Sequence, residues 1–221
     1  MKIIAKIYTE FDEKFGIPRQ SGIVNETVGH IVFEPEYRNP EAIRGIEGYS
    51  HLWLIWEFSE AKRDDWSPTV RPPRLGGNKR MGVFATRSPF RPNPIGLSSV
   101  RLIGIEESEK HGHILTVSGA DILSGTPIYD IKPYLSYTDS HPEAICGFAD
   151  DVVGYKIDVE FDGEIAKNLT DEERSKLTAV LEQDPRPSYK SDDERSYGMK
   201  FEKKEITFKY VNGKLLVTNI E

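Results

Sequence analysis

Arg87, Arg91 and Asn93 sit in one short stretch, Gly82-Val-Phe-Ala-Thr-Arg-Ser-Pro-Phe-Arg-Pro-Asn-Pro-Ile-Gly-Leu-Ser98, which also holds Pro89, Pro92 and Pro94. A guanidinium forks onto two oxygens of a carboxylate or phosphate, so these side chains make an anion-binding set. Each proline fixes its own φ and pushes the preceding residue out of the helical region, which excludes both a helix and a central strand. The stretch must be a stiff loop between apolar strand starts at 82–85 and 95–97, and a stiff loop pre-positions what it carries. Arg71-Pro-Pro-Arg-Leu-Gly-Gly-Asn78, just upstream, adds Arg71 and Arg74. From Lys62 to Arg101 nine basic residues face two acidic ones, a balance of +7 within a chain of net charge −7. Focused positive potential on an acidic protein predicts an anionic partner at this loop. A merely solvated basic run is the alternative. It gives no reason for three prolines, or for glycines that permit close approach (Gly76, Gly77, Gly96).

The elements around this loop read mainly as strands. Ile3 to Tyr8, His30 to Phe33 and Ser50 to Phe58 are apolar runs, the last dense enough to predict a strand buried on both faces. Trp53 and Trp56 on it read as core packing before base stacking. Residues 100–105 and 113–118 flank an acidic turn, which is hairpin grammar. Residues 120–127 make a tight turn into a strand broken by Pro133. With so little helix, residues 1–152 predict a β-barrel or rolled sheet. A polar, Pro/Gly-punctuated segment from Tyr137 to about 151 marks a boundary. Residues 153–221 predict a small α+β domain with a strand at 157–161, a helix capped by Thr170 and Glu173, and a hairpin about Asn212-Gly213. The fold class is thus mainly β with an α+β appendage.

The chain's 221 residues, 38 % of them hydrophobic, support a real core. The single Cys146 leaves no internal disulfide, five scattered histidines show no metal-ligand spacing, and no long apolar run occurs. These features predict a soluble, cytoplasmic protein without metal. Its net acidity argues that any RNA contact is local and shape-dependent.

The run 82–96 closely resembles the signature of the TsaA-like (TrmO) family of S-adenosylmethionine-dependent tRNA adenine-N6 methyltransferases. Further blocks recur in order: Ile17-Pro-Arg-Gln20, Gly48-Tyr-Ser-His-Leu-Trp-Leu-Ile-Trp56, 71–78, Gly119-Ala-Asp-Ile-Leu-Ser-Gly-Thr-Pro127 with Asp130-Ile-Lys-Pro-Tyr-Leu135, and Gln183-Asp-Pro-Arg-Pro-Ser-Tyr189. The resemblance implies a β-barrel catalytic domain and a homodimer. It places S-adenosylmethionine against Pro18, Arg19, Gln20, Ser59, Glu60, Arg87, Leu97 and the turn Ser124, Gly125, Thr126, Pro127. Two positions depart from the family pattern. Phe58-Ser59-Glu60 replaces a His-containing pair, and Ser124 replaces an Asp, so contacts there are expected to run partly through backbone. The implied acceptor is N6-threonylcarbamoyladenosine beside the anticodon of tRNA. Its nitrogen is a poor nucleophile, so a base should assist. Asp130 is the candidate, with Lys132 and Tyr134 positioning the acceptor. Arg71, Arg74, Arg91, Asn93 and Arg186 are candidates for the anticodon stem-loop. Arg186 and Tyr189 are expected to be exposed to a partner, among the basic residues of the appendage (Lys190, Arg195, Lys200, Lys203, Lys204 and Lys209). A noncatalytic RNA-binding module, or a methyltransferase for another anionic substrate, are the rival readings.

Overall fold

The computed structural model describes residues 1–61, 65–75, 79–186 and 195–221. Strands β1 (Ala5–Thr9), β2 (Val28–Phe33) and β3 (His51–Glu57) come first, then the short pair β4 (Thr69–Val70) and β5 (Met81–Gly82). β6 (Ile95–Ser108), β7 (Gly112–Ser118) and β8 (Thr126–Pro133) follow. In the order β1, β2, β7, β6, β3, β8 they close into a six-stranded antiparallel barrel. Closure satisfies every edge. Ile7, Ile31, Leu52, Leu54, Leu115 and Ile128 fill the interior completely, so the barrel is a packed core and not a channel.

β3 corrects one expectation. It is buried on one face only: Leu52, Leu54 and Trp56 point inward, while His51, Trp53, Ile55 and Glu57 stay half-buried on the outer wall. The outer side chains are large because later segments of chain cover them. Asp139, the last residue of α1 (Ser136–Asp139), accepts the Trp53 indole N–H at 2.7 Å, and the Tyr134 ring lies 5.5 Å from that of Trp53. Trp56 does belong to the core. It faces Gly96 on β6, where an added Cβ would lie 2.2 Å from the indole.

The second unit contains β9 (Asp158–Phe161), α2 (Gly163–Asn168), α3 (Asp171–Leu181), β10 (Ser196–Phe201), β11 (Lys204–Val211) and β12 (Lys214–Ile220). Its sheet runs β10, β11, β12, β9, with β9 parallel to β12. Thr170 and Glu173 form the expected capping box at the start of α3. Asn212 and Gly213 take the two positive-φ positions of the expected hairpin, at 51° and 86°. The β10–β11 turn is a finding. Glu202 and Lys203 hold φ of 49° and 65° without the Gly or Asn that would announce it. This unit's core of Leu177, Leu181, Phe208 and Val217 also takes in Phe11 and Val24 from the β1–β2 connection. Lys176 on α3 adds a polar stitch, 3.0 Å from both Glu10 and Glu202.

Gly96→Ala should lower unfolding stability by about 2 kcal/mol, because the rigid indole cannot move aside. Gly82→Ala, where a Cβ meets open space, should stay within about 0.5 kcal/mol in the same denaturant titration. The Glu173 carboxyl is pulled from 4.5 down to about 2, first by Lys204 and then by the Thr170 amide and hydroxyl. A depressed carboxylate stabilises the fold fully above its ordinary value and loses that contribution as pH falls from 4.5 toward 2. The protection of α3 amides, taken relative to the intrinsic exchange rate at each pH, should therefore fall as pH drops through that window in the wild type, whereas in Glu173→Gln it should be low already at pH 7 and unchanged across the window.

Candidate active site

The Pro/Arg loop leaves β5 through a single turn, Val83–Ala85, pinned by the buried Val83. Its prolines enforce tight local turns: the Arg91 N–H donates to Pro89 O at 2.9 Å, and the Ile95 N–H to Asn93 O at 2.8 Å. Arg91 Nη1 donates back to Thr86 O at 2.8 Å. The exit is fixed to the barrel by the Phe58 N–H, which donates to Pro94 O at 2.8 Å. So the loop is stiff, as its composition requires.

Three expected cofactor residues come together at the barrel mouth. Arg87 Nη1 donates to Gln20 Oε1, Gln20 Nε2 donates to Arg19 O, and Arg19 Nη2 donates to Asp184 O at 3.4 Å. Pro18 is buried beside them. The turn at Ser124 lies against β1: the Ser124 N–H donates to Phe11 O and the Gly125 N–H to Ile7 O, each at 2.8 Å, and the Thr126 N–H to Leu123 O. Those amides are engaged within the protein, so a ligand at Ser124, Gly125, Thr126 and Pro127 would meet carbonyls and side chains. This narrows the expected backbone contact. Gly125, at φ 81°, faces open space that a side chain would fill. Ser59 and Glu60 form a turn in which Lys14 holds both the Glu60 carbonyl and carboxylate at 3.1 Å.

A second group lies on the outer wall. Leu97, Ile55 and Asp130 share one row across β6, β3 and β8, with Leu97 57 % exposed. Asp130 Oδ2 is 3.0 Å from Lys132 Nζ, and its Oδ1 accepts the Ile131 N–H at 3.0 Å. Tyr134 packs against Trp53 and His51. The structure thus joins the catalytic candidates to each other and to Leu97, and the Arg19, Gln20 and Arg87 set to the mouth.

Sequence reasoning passed over Asp121, although it lies inside the 119–127 block. Between Ala120 and Ile122, it reads as a turn residue. In the structure the Trp56 indole N–H donates to Ser98 Oγ at 2.9 Å, and that hydroxyl donates to Asp121 Oδ1 at 2.5 Å. Burial pushes the Asp121 carboxyl up; the Ser98 hydroxyl, its own amide and the Arg87 charge pull it back. Ser21 Oγ accepts the Ser99 N–H at 3.1 Å, tying the Pro18–Gln20 segment to the same strand. On β8 the Tyr129 hydroxyl is pushed up to about 12, by burial first and then by Glu57.

Of the substrate candidates, Arg71 and Asn93 are exposed and Arg91 is half-buried. Arg74 lies in the turn Pro73–Leu75, its side chain outside the described atoms. Arg186 corrects an expectation. Only 11 % of its side chain is exposed, because it forks onto Asp184 at 2.7 and 2.9 Å and stacks 3.8 Å from the Tyr210 ring centroid. Asp184 has φ 48° and lends its carbonyl to Arg19, so the pair underpins the mouth from the second unit. Tyr189 and Lys190 lie outside the described residues. Among the described residues, no cluster of His, Cys, Asp and Glu could hold a metal ion, and no helix is long and apolar enough to cross a membrane.

Fold and site together define an antiparallel β-barrel with a cationic, proline-braced mouth and a carboxylate–ammonium pair on its wall. The family model for the tRNA-methyltransferase O N-terminal domain matches residues 6–140, and that for the TrmO C-terminal domain matches 154–221. A tRNA (adenine(37)-N6)-methyltransferase of Escherichia coli K12 is 44 % identical over 197 residues, covering 86 % of this chain and 83 % of that protein. A putative S-adenosylmethionine-dependent methyltransferase of Pseudomonas aeruginosa is 40 % identical over 216 residues, covering 94 % and 90 %. A crystal structure of TrmO from P. aeruginosa superposes with a TM-score of 0.78 at 33 % identity, over 99 % of this chain and 94 % of that one. The chain belongs to the TrmO family.

Arg186→Ala should leave Asp184 buried without its partner and lower stability by about 3 kcal/mol. Loosening of the Arg19 segment should accompany it. Thermal unfolding read beside calorimetric S-adenosylmethionine affinity checks both; unchanged melting with weaker RNA binding alone would return Arg186 to the role of an RNA contact.

Proposed function

We propose that this protein is an S-adenosylmethionine-dependent tRNA methyltransferase acting on N6 of N6-threonylcarbamoyladenosine at position 37, beside the anticodon. The observation that carries it is the match of both family domains in order along nearly the whole chain, with the signature arginine Arg87 gathered at the barrel mouth. The donor set suits the cofactor. Arg87 and Arg19 can meet a carboxylate, Asp121 can accept from ribose hydroxyls, the open space at Gly125 leaves room for a ligand, and Leu97 offers exposed apolar surface on the outer wall. When bound, S-adenosylmethionine supplies an electrophilic methyl group on sulfonium.

The chain's own residues have three tasks. The stiff mouth loops hold one reactant without rearrangement, which lowers the entropic part of the barrier. Asp130 accepts the proton of the acceptor nitrogen, whose lone pair is delocalised into the carbamoyl group. Lys132, 3.0 Å away, can donate to the acceptor's carbonyl or carboxylate, and Tyr134 sets the wall on which it lies. Leu97, 57 % exposed, and Ile95, 37 % exposed, on the outer side of β6 support assembly as a homodimer, in which one copy's wall faces the other's mouth. We assign catalysis to residues 1–152 and tRNA docking to 153–221 through the exposed Lys200 and Lys203 and their neighbours, and place the protein in the cytoplasm.

Arg87→Ala should weaken S-adenosylmethionine binding in calorimetry at unchanged melting temperature. Asp130→Asn should keep that affinity and lower kcat on modified tRNA by about a hundredfold to ten-thousandfold. Nucleoside mass spectrometry reads the product; a wild-type protein that binds tRNA yet leaves the nucleoside unmethylated would defeat the assignment.

A further inference from the structure

Phe84 lies in the turn Val83–Ala85 with 71 % of its surface exposed, and Trp66, 53 % exposed, stands 6.0 Å from it, ring centroid to centroid, at 32°. The Arg91 guanidinium sits 5.8 Å from the Phe84 centroid. An aromatic pair left this open loses hydrophobic stabilisation that burial would give, so its exposure calls for an occupant.

The segments that carry the pair are braced against each other. Val83 is buried and its N–H donates to Pro68 O at 2.9 Å, β4 and β5 pair Thr69 with Gly82 and Val70 with Met81, and Arg91 is tied to Thr86 O. Rigid aromatic surface presents a binding face at little entropic cost. Its surroundings decide what that face takes. Arg71, Lys79 and Arg80 are all exposed on the same segment. A second copy docking here through a two-fold axis would set this cationic patch against itself, which like charge opposes. A phosphate backbone neutralises it.

Resting on the tRNA reading above, we propose that Trp66, Phe84 and Arg91 form a stacking platform for an unpaired base of an RNA hairpin loop, while the neighbouring arginines hold the flanking phosphates. Every base offers a π-face, and aromatic rings with a guanidinium plane are the groups on which splayed loop bases stack. The platform is therefore tolerant of which base it holds, and discrimination for the methylated nucleotide lies elsewhere, at Asp130 and the mouth.

The test uses the full chain and an anticodon-arm RNA stem-loop. Titration into the wild type should quench tryptophan fluorescence, and Trp66→Phe should abolish that quench. Phe84→Ala should raise the Kd for the stem-loop and the KM for tRNA about tenfold, with S-adenosylmethionine affinity unchanged, and Phe84→Tyr should restore both. Wild-type binding without quenching, or Phe84→Ala with unchanged Kd, overturns the platform. A Phe84→Ala protein that keeps its RNA affinity but sediments as a smaller species assigns the face to self-association and likewise overturns it. If the wild type quenches and binds but does not methylate, the enzymatic reading fails and the platform stands.

Discussion

The contact on which the site's geometry depends is the Trp56 indole laid on Gly96. Any side chain at Gly96 would overlap the ring, so β3 and β6 can pair at this register only with glycine there. The same indole bonds Ser98, and Ser98 bonds Asp121, so one side chain fixes the start of β6, where the Pro/Arg loop ends, and the entrance to the 121–127 turn. Ser99 takes Ser21 from the third segment. Three loops far apart in sequence thereby converge on two adjacent residues of one strand. Trp56 also lies 4.3 Å from Phe58, whose amide closes the Pro/Arg loop at Pro94.

A closed barrel filled with side chains has no interior to offer a ligand, and this forces the chemistry to its surfaces. Alternation along each strand then decides what those surfaces hold. Inward positions of β3 and β6 make the core and its last polar layer, Ser98. Outward positions make a wall of Leu97, Ile55, Asp130 and Lys132. The Arg19, Gln20 and Arg87 groups collect at the mouth because loops end there, and the carboxylate–ammonium pair collects on the wall because β8 carries Asp130 two residues before Lys132, on the same side.

Much of this was legible beforehand. Proline spacing required a stiff loop, the Thr170 and Glu173 spacing required a cap, and Asn212-Gly213 required a turn; each rule is local and no distant contact opposes it. What escaped was set by tertiary context. β3 looked buried on both faces because Trp53 and Ile55 are as apolar as Leu52 and Leu54, and sequence does not tell a wall covered by Tyr134 and Asp139 from a second core. Arg186, in a Pro-rich loop, resembled an exposed cation until Asp184 and Tyr210, the latter 24 positions away on another element, enclosed it. The turn at Glu202-Lys203 breaks the usual residue preference, and it lies where Glu202 is drawn onto Lys176.

Charge completes the relation between fold and substrate. With +7 on the segment 62–101 and −7 overall, the rest of the chain carries −14. A polyanion is repelled from the acidic remainder and drawn most strongly to this segment, so encounter and productive orientation are coupled. That arrangement suits a folded RNA better than a free nucleotide, because several phosphates must be neutralised together before the attraction exceeds the repulsion from the acidic remainder. It also explains why the second unit contributes most to the mouth through buried contacts. Phe11 and Val24 anchor the β1–β2 connection in its core, and the Asp184–Arg186 pair braces Arg19 from below, so the unit positions the loops that carry the mouth's charges.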